Sequence, residues 1–137
     1  IRFSGIEKAR PSREVSEALS EAEMVIIGPS NPLISIEPIL RVISAALIRE
    51  RTIAVTPIVS GAALKGPTVE MMRAMGDAPN PIEVARMYRS IAATFVLDSQ
   101  DSKLRAAVEA LGYRVVVTDT VMRDGGRALA SALLGHV

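Results

Sequence analysis

The sequence predicts an α/β fold, a mostly parallel, doubly wound sheet of about four strands with helices packed on it. Three observations lead there. Four short runs rich in β-branched residues, 24–27, 52–56, 94–97 and 114–118, each read as a buried strand. Between them lie stretches with apolar residues at helical spacing, the alternation expected of parallel strands joined by right-handed crossovers. The composition is 49% hydrophobic but only 3% aromatic over 137 residues, so the core must be built from Ile, Val, Leu, Ala and Met. Such a core suits helices on a buried sheet, and a chain of this length makes one domain that buries roughly two-thirds of its unfolded surface.

Residues 1–11 have no clear period and break at Arg10-Pro11, so they read as either a linker or a returning strand, ahead of an α/β core over 12–137. Ser12 then caps a short helix with Val15, Ala18, Leu19 and Ala22 on one stripe. The first strand, 24–27, runs into Gly28-Pro29-Ser30-Asn31-Pro32. Glycine permits close approach and the two prolines remove donors, so the strand must end in a stiff, bent loop. A helix follows with Pro38 in its first turn and Ile39, Val42, Ile43, Ala46 and Leu47 at helical spacing. Arg49-Glu50-Arg51 closes it with cations that suit the negative end of the dipole.

The second strand, 52–56, ends at Pro57, and 58–67 form a second loop. A short helix marked by Val69, Met72, Ala74 and Met75 stops at Gly76, and Asn80 with Pro81 opens another over 82–93. After the third strand, 94–97, Asp98-Ser99-Gln100-Asp101 offers capping side chains to a helix carrying Leu104, Ala107, Val108 and Leu111, with Gly112 as its left-handed stop. The fourth strand, 114–118, leads through Asp119-Thr120-Val121-Met122 to a closing helix at 127–134.

Bulk properties exclude several functions. A formal charge of +1 with two Phe, two Tyr and no Trp offers little to a nucleic acid backbone or its bases. With no cysteine there is no disulfide and no thiolate zinc site, as befits a reducing cytoplasm. The single histidine, His136, sits near the end of the chain and reads as solvated. Glu23, Glu37 and Arg41 interrupt the best apolar stretch, which falls short of the ~18–20 residues that span a bilayer. Neither nucleic acid nor membrane is expected as a partner.

In a parallel sheet all strand exits fall on one edge, where open α/β sheets place their ligand crevice. The exits here hold nearly every unusual small or polar residue of the chain. Gly28, Ser30 and Asn31 follow the first strand; Ser60, Gly61, Lys65 and Gly66 follow the second; Asp98 follows the third; Asp119 and Thr120 follow the fourth. Each has a structural reading beside the functional one. Ser30 and Asn31 either bond their own backbone in a turn or orient a polar ligand group over a helix N-terminus, and the two are compatible. Lys65 is either solvated or meets phosphate from a glycine-flanked exit. Asp98 and Asp119 are either helix caps or carboxylates that help hold magnesium. No nucleophile is paired with a base, no zinc-ligand spacing occurs and neither phosphate-loop fingerprint is present, which disfavours covalent catalysis and zinc hydrolysis.

Five segments, in this order and spacing, resemble the CofD family of phospholactate transferases of deazaflavin coenzyme biosynthesis. They are Ile27-Gly28-Pro29-Ser30-Asn31-Pro32, Ser35-Ile36 with Pro38-Ile39-Leu40, Ala63-Leu64-Lys65-Gly66-Pro67, Ala85-Arg86-Met87-Tyr88, and Asp119-Thr120-Val121-Met122-Arg123-Asp124. The resemblance runs across essentially the whole chain and implies a Rossmann-like three-layer sandwich. Because members are about twice this long, it also implies that 1–137 is the C-terminal part, the N-terminal nucleotide-binding part lying outside this sequence.

The implied reaction moves a phospholactyl or phosphoenolpyruvyl group from a guanosine-diphosphate-activated donor to the ribityl hydroxyl of the deazaflavin FO, releasing GMP. Magnesium would take part with ligands outside this segment, the enzyme would be a homodimer, and this segment alone would be inactive. By motif, Gly28, Ser30 and Asn31 would line the donor or acceptor pocket, Lys65 and Gly66 would face phosphate, and Asp119 with Thr120 would complete the crevice. Glu37, Ser60 and Ala62 depart from the family pattern. The alternative is a non-catalytic nucleotide-sugar-binding or regulatory relative with a similar loop.

Overall fold

A computed structural model describes residues 1–64 and 66–135; Lys65 and His136, both singled out above, lie outside the described residues. In chain order the strands are β1 (Val25–Ile27), β2 (Thr52–Val55), β3 (Ile58–Val59), β4 (Ala62–Ala63), β5 (Thr94–Asp98) and β6 (Arg114–Thr118). The helices are α1 (Arg13–Glu21), α2 (Glu37–Ile43), α3 (Thr68–Met75), α4 (Pro81–Tyr88), α5 (Arg105–Glu109) and α6 (Arg127–Leu134). Four strands form one parallel sheet in the order β1-β2-β5-β6, while β3 and β4 make a separate antiparallel hairpin. The fold is α/β, as the strand runs predict.

Register converts alternation into two different cores. Ile26 pairs with Ile53, Ala54 with Phe95 and Val96 with Val116, so odd and even positions face opposite sides. One face presents Ile27, Ala54, Phe95, Leu97 and Val115 to Met72 of α3, Val84 and Ala85 of α4 and Val108 of α5. On the other, Ile53, Val55, Val96 and Val116 meet Leu129 and Leu133 of α6. The order follows the chain without reversal, so the crossovers between paired strands share one face. The doubly wound reading places crossover helices on both; among the described helices, α6 alone contributes to the second core. Phe95 is fully buried and packs its ring at 55° to Tyr113, with centroids 5.4 Å apart. Its burial contributes roughly 2–3 kcal/mol.

Helix starts match their capping chemistry. The Ser12 hydroxyl accepts from the Val15 N–H, and Asn80 Oδ1 accepts from the Glu83 N–H with Pro81 next in line. Gly76 and Gly112 adopt the positive φ expected of helix stops, at 86° and 94°. Ends differ more. α2 stops at Ile43, and tight turns at Ser44–Ala46 and Arg49–Arg51 bring the chain to β2. The cations there serve other elements: the Arg49 guanidinium donates to the carbonyls of Arg89 and Gly112 at 3.0 Å each, and Arg51 donates to Ala22. α4 likewise ends early, at Tyr88; the Ile91 and Ala92 N–H groups both donate to the Tyr88 carbonyl in a closing turn, and the Ala93 N–H turns to the Arg49 and Thr52 carbonyls at the foot of the sheet. Residues 1–11 form no strand; they carry one helical turn, Ile6–Lys8, and lay Phe3 under the Arg41 guanidinium at 5.6 Å.

No described helix is long and apolar enough to cross a membrane.

Candidate functional site at the strand exits

β1 stops because Gly28, Pro29 and Pro32 cannot extend it, and the chain turns at once: the Ser30 N–H donates to the Gly28 carbonyl at 2.8 Å. Asn31 Oδ1 then accepts from the N–H groups of Leu33 and Ile34 at 2.9 and 3.3 Å, while its backbone carbonyl accepts from Ser35 and Ile36. The side-chain carbonyl therefore builds the wide turn Pro32–Ile36. What remains is the Asn31 amide NH2, whose partner is the Met71 sulfur at 3.5 Å, a weak acceptor. Ser30 is exposed, and a Cβ built on Gly28 would meet nothing within 4 Å. Nothing among the described residues crowds Gly28.

The second exit is a hairpin where the sequence reads as a loop. The Thr56 hydroxyl donates to the Ile58 carbonyl and accepts its N–H, turning the chain after β2. Ser60 and Gly61 link β3 to β4 with φ of 49° and 75°, the paired positive values of a tight two-residue hairpin turn. Their tip is tied to the third exit, for the Ser60 N–H donates to Asp101 Oδ2 at 2.8 Å and its hydroxyl reaches Gln100 Oε1 at 3.4 Å. Gly66, exposed and at φ 67°, and Pro67 then lead into α3, whose first turn has no side-chain cap. Thr68, the first residue of α3, is 1% exposed and its hydroxyl has no partner among the described residues. A buried, unpartnered hydroxyl beside uncapped backbone N–H groups is a donor set suited to an anion.

At the third and fourth exits the carboxylates accept hydrogen bonds from their own loops. Asp98 takes the capping role: Oδ1 accepts from the Gln100 N–H at 2.9 Å, and Oδ2 accepts from the Thr120 N–H at 2.8 Å and the Thr120 hydroxyl at 2.9 Å. Burial opposes ionisation of Asp98 more than any other single influence, but these hydrogen bonds together outweigh it and hold its pKa below the ordinary 3.8. Thr120 is fully buried, so it positions the loop from beneath. Asp119 is exposed; it accepts from the Val121 N–H and, at 3.2 Å, from Arg123. A cleft of ≈ 200 Å³ opens beside it, between Asp119, Met122, Arg123 and Asp124. Backbone N–H groups, that of Ala128 first, hold the Asp124 carboxyl below its usual range.

The described rim makes a poor magnesium site on this donor set. Asp98 has both oxygens engaged, Asp119 is bonded to its own loop, and no group of three acidic or imidazole ligands occurs among the described residues. What the rim does offer is a connected frame: Asn31 to Met71, Ser60 to Asp101 and Asp98 to Thr120 tie successive exits together. Thr68, Gln100 and Asp101 were not among the sequence candidates. Thr68 directly follows Gly66-Pro67, and a threonine at a glycine-led helix start was the legible signal; the roles of Gln100 and Asp101 depend on contacts with Ser60, 40 and 41 positions away.

Comparison with known proteins places the chain among relatives of one named family. The sequence profile of the family described as "2-phospho-L-lactate transferase CofD" matches residues 2–134. A 2-phospho-L-lactate transferase of Methanosarcina acetivorans is 36% identical over 139 residues, covering 98% of this chain and 45% of the relative. One from Methanothermobacter thermautotrophicus is 35% identical over 141 residues, with 100% and 45% covered. A third, from Methanocaldococcus jannaschii, is 32% identical over 117 residues. The chain spans about 45% of the length of the first two relatives.

Proposed function

Because the chain belongs to the 2-phospho-L-lactate transferase CofD family, we propose that it supplies one wall of the active site of a phospholactate transferase. In this reading a phospholactyl or phosphoenolpyruvyl group passes from a guanosine-diphosphate-activated donor to the ribityl hydroxyl of FO. The hydroxyl oxygen bonds to the phosphorus that carries the lactate or enolpyruvate oxygen, the bond from that phosphorus to the bridging oxygen breaks, GMP leaves with the bridging oxygen, and the hydroxyl proton passes to solvent. Such a displacement needs positioning and charge neutralisation more than a covalent nucleophile. Magnesium is part of the proposal with ligands outside this segment, and no step here is routed through it. A homodimer in the cytoplasm belongs to the same reading.

The observation that carries it is the buried Thr68 hydroxyl, without a partner among the described residues, at the start of α3, on the sheet edge that also holds Gly28, Ser30 and Asn31. A diphosphate would satisfy that hydroxyl and the first-turn N–H groups, with the Asn31 amide as a further donor. Lys65 and Gly66 belong to the phosphate side of the pocket by their place in the sequence, and exposed Asp119 closes the far end on a loop that buried Thr120 holds from beneath. The test is an assay of the complete protein with magnesium, FO and donor. Formation of phospholactyl-FO with GMP is expected, and an absence of that product would sink the assignment. Measurable turnover by residues 1–137 alone would contradict the shared-site reading. A Lys65→Ala titration against GDP and FO separates an enzyme from a regulatory relative, which should not bind the deazaflavin.

A further inference from the structure

Asn31 is oriented by its own turn and paired only weakly outside it. Its Oδ1 is committed to the Leu33 and Ile34 N–H groups, so the NH2 at the other end of the same amide faces away from that turn and toward α3. There it donates to the Met71 sulfur at 3.5 Å, and among the described residues no oxygen accepts from it. Asn31 is 8% exposed. A buried amide donor ordinarily finds an oxygen, and a thioether is a weak substitute. Met71 is half-buried and stands three residues after Thr68, so the two share one side of α3. The Thr68 hydroxyl and the Asn31 NH2, neither of which has an oxygen partner among the described residues, are thus brought to the same helix.

We propose, resting on the reading of this rim as a diphosphate site, that Met71 is a positioning residue: the resting partner of the Asn31 amide, which it keeps aimed for a phosphate oxygen and releases when one arrives. The physical reason is the cost of exchange. A sulfur acceptor is enough to favour one orientation of the amide, yet a phosphate oxygen replaces it with a charge-assisted hydrogen bond, roughly twice as strong as a neutral one. An oxygen acceptor at position 71 would hold the NH2 more firmly in the free protein, and the ligand would have to displace it, so the same contact would count against binding. A side chain with no acceptor does the reverse. It leaves the donor unsatisfied until a ligand comes, which lowers the stability of the free protein and favours the bound one. Methionine lies between these cases, and its unbranched, flexible chain can shift aside without stranding a polar group of its own.

Met71→Gln and Met71→Leu, both close to methionine in size, test this in the complete protein with GDP as the probe. Met71→Gln should raise the thermal midpoint of the ligand-free protein and weaken GDP binding about tenfold by calorimetry. Met71→Leu should lower the midpoint and bind GDP at least as tightly as the parent. Stability and affinity therefore move in opposite directions, which a packing role for Met71 would not produce. The side-chain amide resonances of Asn31 in heteronuclear NMR spectra give the direct readout. They should shift when GDP is added to the parent, and also in ligand-free Met71→Leu. Variants that change stability but bind GDP like the parent, or affinities that follow stability in the same direction, would overturn the proposal and leave the assigned reaction standing. GDP binding by the parent with the Asn31 resonances unmoved would do the same. A parent protein that binds no GDP would overturn both the diphosphate reading and the role of Met71.

Discussion

Asp98 and Thr120 lock the third and fourth strand exits together, with Asp98 Oδ2 accepting both the N–H and the hydroxyl of Thr120 at 2.8 and 2.9 Å inside a region closed to solvent. A carboxylate used this way fixes the relative height of two loops. Replacing Asp98 by Ala leaves the Gln100 and Thr120 N–H groups without an acceptor, and this should destabilise the chain by about 3 kcal/mol. Thr120→Val, which removes only one donor, should cost about 1 kcal/mol. Urea unfolding at neutral pH checks both, and equal losses would show that the hydroxyl, not the carboxylate, is the centre of the contact.

The same carboxylate sets an acid limit. Its folded pKa lies below the ordinary 3.8, so its contribution is complete above that value and disappears as pH falls through the depressed folded value. Thermal midpoints of the parent chain should drop additionally below about pH 4. Asp98→Asn should start lower at pH 7 and lack that part of the acid limb. Parallel curves for the two proteins would contradict the assignment.

Gly28 has open space around it and no left-handed backbone, so Gly28→Ala should leave stability within about 1 kcal/mol, in the stabilising direction. If Gly28 admits a ligand or a neighbouring loop, the same substitution in the complete enzyme should cut kcat/KM roughly tenfold, about 1.4 kcal/mol. A stability loss in this chain with unchanged turnover would reverse the interpretation.

Thr68 gives the opposite signature from an ordinary buried hydroxyl. Because its oxygen has no partner among the described residues, Thr68→Val should be neutral or stabilising by up to about 1 kcal/mol. It should also weaken GDP binding to the complete protein about tenfold, read by calorimetry. Destabilisation with unaltered GDP affinity would remove Thr68 from the site.

Strand runs, capping residues and glycine stops were legible because each is a local matter: Ser12, Asn80, Gly76 and Gly112 act within a turn of themselves. The candidate rim was legible for a related reason, since parallel strands must exit on one edge and the polar residues stand right after them. Where the reading went astray, a distant partner intervened. Arg49 reads as a cation for its own helix, yet its guanidinium meets carbonyls 40 and 63 positions away. Ser60-Gly61 reads as part of a loop because the strands on either side are two residues each, too short for a periodic signal.

The sequence by itself determined the α/β class, the parallel strands and the collection of small and polar residues at their exits, through β-branched runs, helical spacing and turn chemistry. Tertiary contacts set which polar groups on that edge are left to meet a ligand, and they bring in Thr68, which lies outside that collection. Asp98 and Thr120 spend their polar groups on each other, whereas Thr68 keeps a hydroxyl unspent, and the difference is set by which strands lie side by side. Tertiary structure also decided the direction of winding. With strands following chain order, the crossovers cover one face and α6 only part of the other, leaving Ile26 and the β1 edge bare. A short apolar run says that a strand is buried; it cannot say which neighbour buries it.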